Sequence, residues 1–249
     1  MIPPFHPAPK ASPAALDIAA SFGFAACAAP PSDGLYLLAD EDGISLCRSG
    51  EKGRVRVDFA NGAAQYRRLK GGGELIAKAV NHSGRPFVVD ATGGLGRDAF
   101  VLAAQGLTVC IIERHPAAAC LLSDGLHRAL ADAGVAEIAE RISLHYGEAL
   151  RLLPELAEKR RPDAVYLDPM YPGRQKSAAA KKEMAYFHEL VGTARQADDA
   201  ALLAAARAVA KKRVVVKRPR LGGFLAQYPP AYQYEGKSTR FDIYLPSAG

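Results

Sequence analysis

The chain has 249 residues, 49% of them hydrophobic and 23% charged, with a net charge of +6. That length exceeds a typical single domain of about 100–150 residues, but one α/β domain with an appendage would use it up. This apolar content excludes wholesale disorder, and no apolar run reaches the roughly 18 residues needed to span a membrane. The N-terminus lacks a charged stretch followed by an apolar one, so no secretory signal is read. Cys27, Cys47, Cys110 and Cys120 show neither CxxC nor zinc spacing, and the histidines form no ligand pair. The expectation is a cytoplasmic protein with reduced thiols and no metal.

Residues 1–30 are rich in Ala and Pro and read as peripheral, with a short helix near Ala14–Ala20. Alternating apolar runs follow at Leu35–Leu38, Ile44–Leu46 and Val55–Phe59. Turn residues separate them at Asp40-Glu41-Asp42-Gly43, with a further turn at Asn61-Gly62. Together they predict a small N-terminal β-rich subdomain over residues 1–70. Gly71-Gly72-Gly73 marks a break, and a helix over Glu74–Asn81 opens the larger domain, residues 71–249.

From Pro86 onward strands alternate with helices. Strands are predicted at Phe87–Ala91, Leu107–Ile112, Ile142–Tyr146, Ala164–Leu167 and Val214–Lys217. Helices are predicted at Gly96–Gln105, Pro116–Ala133, Ala149–Lys159 and Ala200–Ala210. Such alternation means a mostly parallel, doubly wound, Rossmann-like sheet. Tyr232–Glu235 and Arg240–Leu245 have no long helix between them and should pair antiparallel. A terminal hairpin on a parallel sheet is the arrangement of class I methyltransferases.

Three strand ends carry chemistry. The first strand ends at Asp90 and is followed by Gly93, Gly94 and Gly96, then Arg97 and Asp98. Glycines at a strand-to-helix turn let a ligand approach the backbone, and the helix start offers free N–H donors. The spacing is Gly-Gly-x-Gly and fits the dinucleotide fingerprint poorly. Glu113 ends the second strand about 20 residues on, where an acid binds ribose hydroxyls. Nicotinamide and S-adenosylmethionine (SAM) enzymes share that feature. Arg97 and Asp98 are equally readable as helix-start charges.

The fourth strand breaks the tie. Proline cannot continue a ladder, so Asp168-Pro169-Met170-Tyr171 ends the strand and presents a carboxylate, a rigid turn and an aromatic ring together. A hydride-transfer enzyme has no need of that set. An exocyclic amine is conjugated with its ring and a poor nucleophile. Hydrogen bonds from it to Asp168 would localise its lone pair, while Tyr171 would hold the base by stacking. Basic residues gather at Arg174, Lys176, Lys181 and Lys182, and again at Lys211, Lys212, Arg213, Lys217, Arg218 and Arg220, which favours a polyanionic partner.

From about residue 70 onward the chain resembles the ribosomal RNA small subunit methyltransferase J family. The resemblance is carried by Asp90-Ala-Thr-Gly-Gly-Leu-Gly-Arg-Asp98, Glu113-Arg114, Tyr166-Leu-Asp-Pro-Met-Tyr-Pro172, Gln175-Lys-Ser177, Lys181-Lys-Glu-Met184, Arg213-Val-Val-Val-Lys-Arg-Pro219 and Arg240-Phe-Asp-Ile-Tyr244. It implies SAM-dependent methylation of a guanine N2 in 16S rRNA (named for position 1516), hence the small ribosomal subunit as partner. It also implies cofactor contacts at Arg97, Asp98, Glu113, Arg114 and Asp168, and at a pair after the third strand placed at Glu148 and Ala149. Lys217 and Arg218 are expected to touch RNA phosphate or base. The Asp-Pro turn alone would also permit an adenine N6 or cytosine N4 methyltransferase. A non-catalytic RNA-binding assembly factor and a nicotinamide oxidoreductase stand as further alternatives.

Overall fold

Two sheets and the helices packed on them organise the chain. The computed structural model describes residues 2–61, 74–169, 178–192 and 196–247, with the main chain alone given at 74, 178–184 and 196–197. The smaller sheet has the order β1 (Phe5–Pro7), β2 (Leu35–Asp40), β3 (Gly43–Arg48), β4 (Arg54–Val55). β1 runs parallel to β2, and the other pairs are antiparallel. Asp40 pairs with Gly43 across a two-residue turn at Glu41-Asp42. Gly43 has φ +113°, and a Cβ there would meet the Asp124 carboxylate at 2.7 Å.

The N-terminal thirty residues are not peripheral. Phe5 and Phe24 are buried with their rings 6.5 Å apart, and helix α1 (Pro13–Ser21) buries Ala15 and Ala19. The predicted strand Val55–Phe59 is cut to Arg54–Val55. Val57 and Phe59 are buried nonetheless, because they pack on helices of the larger sheet and not in a ladder.

The larger sheet has seven strands: β5 (Val88–Asp90), β6 (Val109–Glu113), β7 (Ile142–Tyr146), β8 (Ala164–Leu167), β9 (Arg213–Pro219), β10 (Tyr232–Glu235) and β11 (Thr239–Tyr244). Their order is β10-β11-β9-β8-β5-β6-β7. The pairs from β9 through β7 are parallel, and β11 pairs antiparallel with both β9 and β10. The doubly wound sheet and its terminal hairpin are therefore as expected.

Side-chain alternation splits the core in two. Val88, Ile111, Tyr166, Val215 and Phe241 face one layer. That layer holds α2 (Glu74–Val80), α3 (Arg97–Ala104), α4 (Pro116–Leu130), the short α5 (Ala136–Ala139) and the small sheet. Val89, Cys110, Ile112, Val165, Leu167, Val214 and Val216 face the other, built on α6 (Ala149–Lys159) and α8 (Gln196–Val209). α7 (Ala178–Val191) packs Tyr186, Phe187 and Leu190 into the first layer. In the sequence this stretch is marked only by the basic residues at its start. All four cysteines are free thiols. No helix of the described residues is long and apolar enough to cross a membrane.

Candidate active site at the reversal of strand order

The chain leaves β5 for β6 and β7 on one side, then crosses back to β8 on the other. Connections on both sides run away from the carboxyl ends of β5 and β8, which leaves a crevice there. Asp90 ends β5, and Asp168 follows β8 directly. The Ala91 N–H donates to the Tyr166 carbonyl at 3.0 Å, so the two ends are held level. Thr92 joins them. Its N–H and hydroxyl donate to Asp90 Oδ1 at 3.0 and 3.3 Å, and its Oγ1 accepts from the Asp168 N–H at 2.6 Å. Burial, opposed by the Thr92 hydrogen bond and reinforced by the charges of Asp98 and Asp168, pushes the Asp90 carboxyl up to about 7.

The glycine turn is built for close approach. Gly94 and Gly96 have φ +54° and +69°, in the left-handed region. A Cβ on Gly93 would lie 2.4 Å from Ile111 Cγ2, so the turn must lie flat on β6. Gly96 caps α3, so the helix starts with Arg97 and Asp98 at the edge of the crevice. Glu113 at the end of β6 accepts from the Gly94 N–H at 2.6 Å and the His115 N–H at 2.7 Å. Burial raises its pKa, and those hydrogen bonds oppose the rise. A carboxylate can accept about four hydrogen bonds, so ribose hydroxyls can still be received there. This donor set fits an adenosyl cofactor: backbone N–H groups at the turn, an acid at the second strand and a second acid at the fourth.

Two residues with no site role expected from the sequence, Tyr166 and Phe187, complete the crevice. Tyr166, fully buried, donates its hydroxyl to Asp98 Oδ2 at 2.7 Å. Phe187 of α7 lies over the turn, 3.6 Å from where a Gly94 Cβ would be. Neither signal could be found locally, since both depend on which element crosses over the turn.

The chain matches the family described as "Putative SAM-dependent methyltransferase" over residues 18–246. It is 63% identical to ribosomal RNA small subunit methyltransferase J of Neisseria meningitidis, with 91% of this chain and 90% of that protein covered. The protein of that name from Laribacter hongkongensis is 48% identical over 99% of this chain and 89% of its own length. A crystal structure of a SAM-dependent methyltransferase from Neisseria gonorrhoeae superposes with TM-score 0.85 at 54% identity, covering 98% and 96% of the two chains. The chain belongs to the ribosomal RNA small subunit methyltransferase J family. It has the class I SAM-dependent methyltransferase fold, and SAM is its cofactor.

The other residues expected at this methyltransferase's site are placed as follows. Asp90, Gly93, Gly94, Gly96, Arg97, Asp98, Glu113, Asp168 and the buried Pro169 lie at the crevice or its turn. Arg114 and Glu148 follow β6 and β7, with Arg114 Nη1 4.0 Å from Glu148 Oε2 and the Glu148 side chain 64% exposed. Ala149 is the buried first residue of α6. Tyr171, Arg174 and Lys176, and the side chains of Lys181 and Lys182, lie outside the described residues.

Lys217 and Arg218, expected to touch RNA, are placed as follows. Lys217 Nζ donates to Asp168 Oδ2 at 2.7 Å and also to Asp98 Oδ2. Burial alone would lower its pKa, but the two carboxylates raise it above the ordinary lysine value. Arg218 is 6% exposed and donates from Nε to the Gly223 carbonyl at 3.0 Å. Both cations face protein groups.

Proposed function

We propose that this protein transfers the methyl group of SAM to the exocyclic N2 of a guanine in 16S rRNA, the family's target being guanine-1516. The substrate is 16S rRNA, free or in the small ribosomal subunit, in the cytoplasm. The observation that carries this reading is Asp168 at the strand-order reversal beside the glycine turn, its carboxylate held by Lys217 and its backbone N–H by Thr92. The relatives named for small-subunit ribosomal RNA support it.

The bound cofactor supplies a methyl group made electrophilic by its sulfonium. Binding falls to the glycine turn, the helix start at Arg97 and Asp98, Glu113 with Arg114, and the Glu148-Ala149 backbone. Asp168 accepts hydrogen bonds from the guanine amine, which localises the nitrogen lone pair for attack. Pro169 stiffens the turn that carries Asp168, and Tyr171 stacks on the base. A paired guanine would first have to leave its stack. Most of the acceleration comes from holding the nitrogen in line with the methyl carbon. Arg174, Lys176, Lys181 and Lys182 supply the phosphate contacts.

The test is transfer of tritium from methyl-labelled SAM to under-methylated small subunits, with nucleoside analysis of the digested RNA. Label in N2-methylguanosine is expected. Label in another nucleoside, or none despite SAM binding, overturns the reading. Asp168→Ala should lower the transfer rate at least about 10²-fold with the fold intact. Near-wild-type turnover in that variant would remove Asp168 from the mechanism.

A further inference from the structure

Five ionisable side chains from four elements meet at the carboxyl ends of β5, β8 and β9. They are Asp90 of β5, Asp98 of α3, Tyr166 of β8 with Asp168 just beyond it, and Lys217 of β9. Strand register explains the meeting. Leu167 pairs with Val216, so Asp168 and Lys217 come next on the two parallel strands and lie side by side. By side-chain alternation Lys217 shares the face of Val215, the layer that contains α3. The ammonium is thereby directed at Asp98 and Asp168, and only 21% of the side chain is exposed.

We infer that Lys217 is a positioning residue of the methyl transfer, which holds the Asp168 carboxylate ionised and aimed at the crevice. The inference rests on the reading of Asp168 as acceptor for the guanine amine. An ionised carboxylate accepts more strongly and on both oxygens, whereas protonation turns one oxygen into a donor facing an amine that is itself a donor. Three acids in one crevice would otherwise repel and drive one another toward protonation. The lysine's N–H groups can serve two carboxylates at once, and its charge offsets theirs. Fixing β9 to the turn after β8 also sets the carboxylate's direction, and a displacement of about 1 Å in such a group can cost 10²-fold in rate. Beside this cluster a cleft of about 180 Å³ opens between Leu75 and Ile76 of α2 and the Lys237–Thr239 loop, with Asp98 and Lys217 in its wall. Lys237 is exposed on that loop. It is the other cation lining the cleft among the described residues, and the natural candidate there for a phosphate.

The test compares Lys217→Met, which keeps the aliphatic stem, with Lys217→Arg, which keeps the charge. Two readouts are used: single-turnover methyl transfer against pH, and the carboxyl-carbon NMR titration of Asp168 in the unliganded protein. In Lys217→Met the Asp168 midpoint should move up by about one pH unit or more. The acid limb of the rate should move up with it, and the rate should fall about 10²-fold. The KM for rRNA and the salt dependence of rRNA binding should stay as in wild type. Lys217→Arg should leave the acid limb in place.

An unmoved titration in Lys217→Met overturns the inference. So does a loss confined to KM and the salt slope, which would make Lys217 a phosphate contact after all. If Lys217→Met does not fold, Lys217→Gln, which removes the charge but keeps a polar end group, gives the same test with the same expected sign. Failure of wild type to make N2-methylguanosine would sink the functional reading, while the titration would still decide what Lys217 does to Asp168.

Discussion

Asp90 is 2% exposed, and burial raises its carboxyl from 3.8 to about 7. The sign of its effect on stability follows from proton counting. Between about pH 4 and 7 the unfolded chain has lost this proton while the folded one keeps it. Stability therefore falls as pH rises through that window and levels off above it. The full effect is on the order of 4 kcal/mol if nothing relaxes. Asp90→Asn can still accept both Thr92 hydrogen bonds but cannot ionise. Its melting temperature relative to wild type should climb between pH 4 and 7, which thermal scans across that range would detect. A constant difference would mean that Asp90 is ionised throughout. Thr92 matters at the same scale: its hydroxyl touches both strand ends, although a threonine beside glycines carries no special signal in sequence.

At the scale of elements, β9 shows why clusters in sequence need not be clusters in space. Lys211, Lys212 and Arg213 precede or begin the strand, and Lys217, Arg218 and Arg220 lie toward its far end. Six residues of strand separate the ends by about 20 Å. The Lys211 and Lys212 N–H groups bond to Pro162 and Asp163, before β8, so the first three cations sit at the edge opposite the crevice. β11 carries a second buried ion pair. Arg240 and Asp242, two apart and on one face, form a bidentate contact at 2.8 and 3.1 Å, with Asp242 fully buried. Gln233 of β10 donates to the same carboxylate at 2.6 Å, which ties the hairpin together. Asp242→Ala strands a buried guanidinium and should cost about 3–5 kcal/mol. Arg240→Met with Asp242→Leu should cost markedly less. Urea titrations of both variants would check this, and equal losses would show that the apolar pair does not fit.

Across the whole molecule the small sheet and the large one share a core. Phe59 stacks on Phe100 of α3 with centroids 4.4 Å apart, and Arg128 of α4 binds both Asp124 and the Val57 carbonyl. Gly125 is the notch that admits Val57: a Cβ there would lie 2.3 Å from Val57 Cγ1 and 3.0 Å from its carbonyl oxygen. Arg48 of β3 reaches Glu189 of α7, and the Tyr186 hydroxyl donates to Glu51 at 2.7 Å. The small sheet thus braces the helix that carries Phe187 over the glycine turn. Gly125→Leu should lower stability by at least about 1–3 kcal/mol through overpacking. Hydrogen exchange should show residues 35–48 losing protection before β5, β6 and β8 do. Simultaneous loss would mean that the two sheets unfold as one unit.

Local chemistry determined much of this protein. Period-two apolar runs, the glycine turn and the X-Pro stop are properties of neighbouring residues, so the parallel strands, the terminal hairpin and the placement of Asp90, Glu113 and Asp168 at strand ends were legible in the chain. What the tertiary structure decided are relations between distant residues. The cut-off strand at Arg54–Val55 follows from a helix groove 70 residues away, and helix α7 draws its buried face from the same packed layer. The direction of Lys217 follows from a parallel register that puts it level with Asp168. A lysine in a basic run reads as surface charge because most are. Only the pairing of β8 with β9 turns this one inward, where two carboxylates make an ammonium stable.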